Sequence, residues 1–352
     1  MKCEAIMVVD KQDFEKYYFE TVKKLLSVPS PSGYYSEILP ALKELAEDAG
    51  AEFERTRKGC AVLTVKGKTD ALIGACAHVD TLGAMVRSVT DEGKIKFTKV
   101  GGPILPTLDG EYCEIIARDG RKYSGTFLSE SPAIHVYKDA ATRERNEEGM
   151  YVRLDIDFEG KDGAAALGIT NGCYICYDPK TAVTESGYLK SRFIDDKGGV
   201  ACLLTALHLM KERALVPEKT VKILITVYEE VGHGASWVPD GLESMLGVDM
   251  GCIGDDLSCT EHDVSICAKD SSGPYDYDLT GKLIAIAKEK GLPYAVDIYP
   301  YYGSDVGAMR DAGYDVPGAL IGSGVHASHG MERTHIDGVA ATVNLILGYF
   351  GF

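Results

Sequence analysis

TVKILITVYEEVGHG, residues 220–234, decides the fold and points to the chemistry. Residues 220–228 are almost continuous in apolar and β-prone types, the pattern of a strand covered on both faces in a parallel sheet. Two acids, Glu229 and Glu230, follow at once. Ionised carboxylates at the end of an apolar strand are costly unless a cation or a proton pairs with them. One of the pair can ligate a metal while its neighbour serves as general base toward an activated water. A solvated strand end is the plainer alternative.

On the C-terminal side, helical and strand patterns alternate, with helices expected at 279–290 and 337–350. On the N-terminal side, GGVACLLTALHLMKE (198–212) reads as an apolar helix, preceded by Asp195 and Asp196. Those two acids fit a helix N-terminal cap or a carboxylate that bridges two metal ions. Nearer the start, residues 11–27 and 35–48 carry helical spacing. ALIGACA (71–77) is a second buried strand, running straight into His78-Val79-Asp80. Residues i and i+2 of an extended chain face one side, so His78 and Asp80 can meet a single site. There Asp80 can orient the imidazole or bind metal itself.

From about 89 to 175 the texture changes to glycine, short β-prone runs and turn dipeptides such as Asp119-Gly120. The chain is therefore read as an α/β domain, 1–88 and 176–352, interrupted by a small all-β, barrel-like insertion at 89–175.

Composition narrows the function. A formal net charge of −16 argues against nucleic acid, and no run of 18 apolar residues exists to span a membrane. The apolar run Ala5–Val9 is too short for a signal peptide. Ten scattered cysteines suit a reducing cytoplasm. Cys173 and Cys176 form one CxxC without the second pair that a zinc ribbon needs, so buried thiols are expected there.

Two further segments carry donors. Asp249 follows the apolar SMLGV, with Asp255 and Asp256 shortly after. HASHGMERTH places His326, His329 and His335 close together beside Glu332. Histidine, aspartate and paired glutamate at element ends make a ligand set for two divalent cations.

Taken in order, these motifs resemble the tetrahedral, or glutamyl, aminopeptidases, a family whose members are also described as endoglucanases or deblocking aminopeptidases. HVDTLGAMV (78–86) is similar to the first metal motif and VGGPILP (100–106) to a segment opening the β insertion. IDDKGGVACLL (194–204) is similar to the bridging-aspartate motif and YEEVGHGAS (228–236) to the glutamate pair. VDMGCIGD (248–255), GSDVGAM (303–309) and HASHGMERTH complete the series. The resemblance implies a mixed-sheet, two-metal peptidase domain carrying two zinc or cobalt ions per subunit. His78 and Glu230 would be terminal ligands of different ions, Asp195 the bridge, Glu229 the general base and Asp80 the partner of His78. Asp249 and His329 would complete the ligands, with Asp255 and His326 as alternatives. Peptide substrates and a dodecamer built through the β insertion are implied as well. The chain departs from the family at two places: Lys197 stands where an arginine is usual, and Glu332 lies three rather than four residues beyond His329. A related two-zinc carboxypeptidase or deacylase, or a noncatalytic scaffold, remains as an alternative at this stage.

Overall fold

The computed structural model describes residues 7–352; Ala5 and Ile6 of the N-terminal apolar run lie outside the described residues. A ten-stranded mixed sheet forms the larger body. Its centre is a parallel block in the order Lys219–Thr226, Thr69–His78, Leu242–Val248, Gly318–Val325. The middle of the block is apolar: Ala75, Val221, Ile223, Ile225, Leu246 and Ala319 have no exposed surface. Antiparallel strands Ala61–Val65 and Glu52–Arg55 extend one side, and Val264–Asp270 the other. Because the block is parallel, its carboxyl ends share one edge. Thr226 lies beside His78, and Val248 beside Ile321. In open α/β sheets that edge is where ligands bind.

The apolar helix begins earlier than the pattern 198–212 indicates and runs Ile194–Glu212, with non-helical backbone at Asp195 and Asp196 and a cis peptide between them. It packs against Glu15–Leu26, Ile336–Tyr349 and Thr69–His78. Ile38–Asp48 and Tyr277–Glu289 occupy the other expected helical segments.

The insertion is a closed antiparallel barrel, in spatial order Gly83–Val89, Ile95–Val100, Met150–Leu154, Lys122–Ser129, Tyr112–Ile116, Tyr174–Tyr177. Its core is filled by Ile95, Phe97, Ile115, Phe127, Val152 and Ile175, all fully buried, with Phe97 and Phe127 edge to face at 5.0 Å. Gly120, at φ +86°, turns the hairpin that pairs Ile116 with Lys122. The barrel strands begin at Gly83 and end at Tyr177, reaching past 89–175 at both ends. Among the described residues no helix is long and apolar enough to cross a membrane. Cys173 and Cys176 are free and buried.

Candidate metal centre

Turns at the carboxyl edge of the parallel block, with the start of the helix Ile194–Glu212, deliver acids and an imidazole to a common cavity of about 820 Å³. Asp195, Glu229, Glu230, Asp249 and His329 line it. His78, buried at 1% exposure, lies within 4 Å of three of these acids. The His78 ring is oriented by the backbone carbonyl of Asp80, which accepts from Nδ1 at 2.9 Å. That leaves Nε2 toward Asp195 Oδ1 at 3.2 Å, Glu229 Oε2 at 3.6 Å and Asp249 Oδ2 at 3.9 Å. His329 repeats the device on the other side: Nδ1 donates to Gly102 O at 2.9 Å. Its Nε2 stands 3.5 Å from Glu230 Oε2 and 3.6 Å from Asp195 Oδ2. Thus the two oxygens of Asp195 face two different imidazoles. Metal-ligating histidines characteristically donate their other ring proton in this way.

The carboxylate of Asp80 also serves the neighbouring turn. It lies 3.7 Å from His78 Nδ1, while accepting from Ser32 Oγ at 2.6 Å and from the backbone N–H groups of Glu229 and Glu230 at 3.1 and 3.3 Å. It therefore fixes the turn that carries the glutamate pair. Asp196 is turned away from the cavity, accepting from His78 N and Gly199 N, both at 3.1 Å. Glu332, the acid three residues beyond His329, accepts from the backbones of Asp195 at 3.0 Å and His329 at 3.2 Å. Ser328 donates to Asp195 Oδ2 at 2.9 Å. Ser32 and Ser328 carry no signal in the sequence, since each acts through a turn that brings it to a distant partner. Lys197 is buried, donates to Val28 O at 2.7 Å, and burial pulls its ammonium down to about 7.

The alternatives separate cleanly. His326 is exposed and its backbone pairs with Arg333. Asp255 is exposed, and neither residue lines the cavity. His335 lies at the start of Ile336–Tyr349, where Nδ1 accepts from Asp337 N.

The electrostatics call for a cation. Burial pushes Glu229 and Glu230 well above the usual carboxylate range, and neighbouring acids, Asp249 and Asp195 respectively, push them further. Burial, then Asp195, lifts Asp249 to about 7. Burial alone would lower His78, but Asp195, Glu229 and Asp249 outweigh it and hold the ring well above its ordinary value. Among the described residues no lysine or arginine lines the cavity to offset this charge, and Glu230 Oε1 is buried with no hydrogen-bond partner among them. Clustered carboxylates and imidazoles with one orphaned buried oxygen fit divalent metal. One atom each from His78, Glu229 and Asp249, and from His78, Asp195 and Glu230, falls within 4.8 Å.

Comparison with known proteins agrees with the fold. A model of the M42 glutamyl aminopeptidases matches residues 59–345. The putative aminopeptidase YhfE of Bacillus subtilis (strain 168) is 40% identical over 94% of this chain and 96% of its own. The TET aminopeptidase from Thaumarchaeota archaeon SCGC AB-539-E09 superposes with a TM-score of 0.85 at 21% identity, covering 96% of both chains. Pyrococcus horikoshii TET1 peptidase, which can assemble into a tetrahedron or a large octahedral shell, gives 0.82 at 24% identity over 94% of this chain and 98% of its own. At those identities the two structures speak for the fold alone. The family model and the bacterial relative go further: the chain belongs to the M42 glutamyl aminopeptidase family, and is a metallo-aminopeptidase, a hydrolase.

Proposed function

We propose that the cavity holds two divalent ions, zinc or cobalt, and removes N-terminal residues from peptides. The observation that carries this reading is Asp195, whose two oxygens face His78 and His329 across one cavity. His78, Asp195 and Asp249 would hold one ion, and Asp195, Glu230 and His329 the other. Bound there, such a pair would supply a nucleophilic water at neutral pH and polarise the scissile carbonyl. Glu229 accepts the proton of that water and returns it to the departing amine. Its carboxyl is suited to holding a proton, since burial raises its affinity for one. Asp80 keeps the acid in place through the backbone of the Glu229-Glu230 turn. Ser328 and Glu332 hold Asp195 and His329 in register.

The same reading assigns catalysis to 1–88 and 176–352, and assembly to the insertion at 89–175. A homo-oligomer, the dodecamer that the family resemblance implies, is supported by exposed apolar side chains on the insertion: Tyr112, Ile134 and Val136 are 66%, 73% and 72% exposed. The test of substrate class is one peptide in two forms, free and acetylated at its N-terminus, given to the zinc- or cobalt-loaded protein. The free form should lose its N-terminal residue and the acetylated form should persist. Preferential attack on the acetyl group, or release from the C-terminus, would instead favour a deacylase or carboxypeptidase.

A further inference from the structure

The two halves of the cavity are anchored differently. His78 ends the strand Thr69–His78 and is oriented by Asp80 O, while Asp249 follows the strand Leu242–Val248, so both rest on the sheet domain. His329 sits instead where that domain meets the barrel. Its Nδ1 donates to Gly102 O at 2.9 Å and its carbonyl accepts from Ile104 N at 3.3 Å. Both partners lie in the loop that leaves the barrel strand Ile95–Val100.

Arg192 clasps this junction and is only 4% exposed. Its Nη1 donates to Gly330 O, one residue past His329, at 3.1 Å and to Thr107 Oγ1 at 3.3 Å. Nη2 donates to Thr107 O at 2.9 Å and stands 3.1 Å from Glu111 Oε2. The guanidinium also lies 5.8 Å from the centre of the Tyr177 ring, at the end of the barrel strand Tyr174–Tyr177. Glu111 has a second partner in Lys180. A buried ion pair is a poor means of stabilising a fold, since apolar side chains of similar volume serve as well. Here, moreover, Arg192 Nε is buried with no hydrogen-bond partner among the described residues. What an apolar side chain cannot do is hold two carbonyls at a set separation, as the planar fork does. One of those carbonyls closes the turn in which Ala327 and His329 adopt left-handed backbone, a conformation that persists only where its surroundings enforce it.

We infer, on the two-ion reading above, that Arg192 is a positioning residue for the ion at Glu230 and His329. It acts through the Gly330 carbonyl on the turn that presents His329, and it leaves the ion at His78 and Asp249 unaffected. Charge alone predicts the opposite sign, because removing a guanidinium near a cation site favours the cation.

The test titrates cobalt into metal-free protein and follows both sites by visible absorption. It compares the wild type, Arg192→Met, Arg192→Lys, His329→Ala and the His329→Ala, Arg192→Met double variant. Lysine keeps the charge and loses the fork. The wild type should take two ions. In each Arg192 variant one ion should bind as in the wild type and the other about 10–100-fold more weakly. His329→Ala already loses that weaker ion, so adding Arg192→Met should leave the remaining affinity unchanged. Unchanged or tighter binding of both ions in the single variants overturns the inference. Equal weakening of both ions, or further weakening in the double variant, marks a general effect on the fold and overturns it as well. Should Arg192→Met fail to fold, Arg192→Lys decides by the same titration. A wild type that takes only one ion sinks the two-ion reading, and the inference with it.

Discussion

Asp195 and His329 show how much depends on single atoms. His329 enters the cavity because Ala327 and His329 both adopt left-handed backbone, at φ +60° and +63°, in a turn closed by Gly330 N to Ala327 O. His326, before the turn, points elsewhere. His329→Ala should therefore lose one ion per subunit and most activity, while His326→Ala keeps both; elemental analysis of the two variants decides it, and the reverse pattern would reassign the ligand. Asp249 allows a pH test. Its carboxyl titrates near 3.8 when unfolded and about 7 in the metal-free fold. Between those values the folded state binds more protons, so Asp249 makes stability fall as pH rises through that window. Metal removes the penalty, because it takes the ionised form. Zinc should thus raise the melting temperature more at pH 7.5 than at pH 5.5, and Asp249→Asn should flatten the difference, whereas Asp255→Asn should not. A difference unchanged in Asp249→Asn would count against the assignment. The donors were legible in the sequence because each follows an apolar strand or precedes an apolar helix. The supporting contacts were not: Ser32, Ser328 and the carbonyl of Asp80 act through turns that no local pattern specifies. The spacing of Glu332, odd by family pattern, is explained by its grip on the backbones of Asp195 and His329.

Strands set the positions of most of these donors, Asp195 being carried by the start of the helix Ile194–Glu212. The parallel block brings Thr226 beside His78 and Val248 beside Ile321, so turns read separately along the chain converge on one edge. That convergence needs close backbone approach. A Cβ on Gly322 would sit 1.4 Å from Asp249 O. Gly322→Ala must push the strands Leu242–Val248 and Gly318–Val325 apart, at a cost of about 1–3 kcal/mol. Denaturant unfolding should show that loss together with a weakened metal site, and a variant as stable as the wild type would refute the packing argument. Long apolar strands such as Thr69–His78 were legible because burial on both faces leaves a continuous signal. The edge strand Glu52–Arg55 was not, being largely exposed and polar. Nor was the helix Asp305–Asp311, too short for periodicity to show. The barrel's first strand, Gly83–Val89, was hidden because it begins inside the HVDTLGAMV motif.

At the scale of the molecule, the barrel stands on the sheet domain near the cavity: Gly102, just after the strand Ile95–Val100, supplies the carbonyl that orients His329. The assembly proposed for the insertion and the catalysis proposed at the sheet edge would thereby be neighbours. Ile134→Asp combined with Val136→Asp should shrink the particle seen by light scattering from a dodecamer to smaller species while metal content per subunit stays unchanged. An unaltered dodecamer would move the interface away from that apolar patch. In the proposed mechanism metal binding and proton transfer are divided between adjacent acids, Glu230 for the first and Glu229 for the second. That division is tested most directly by measuring metal per subunit and peptide turnover together in Glu229→Gln. The account predicts two ions per subunit, as in the wild type, with turnover lowered by about 10²–10⁴-fold; near-wild-type turnover, or loss of an ion, would contradict it.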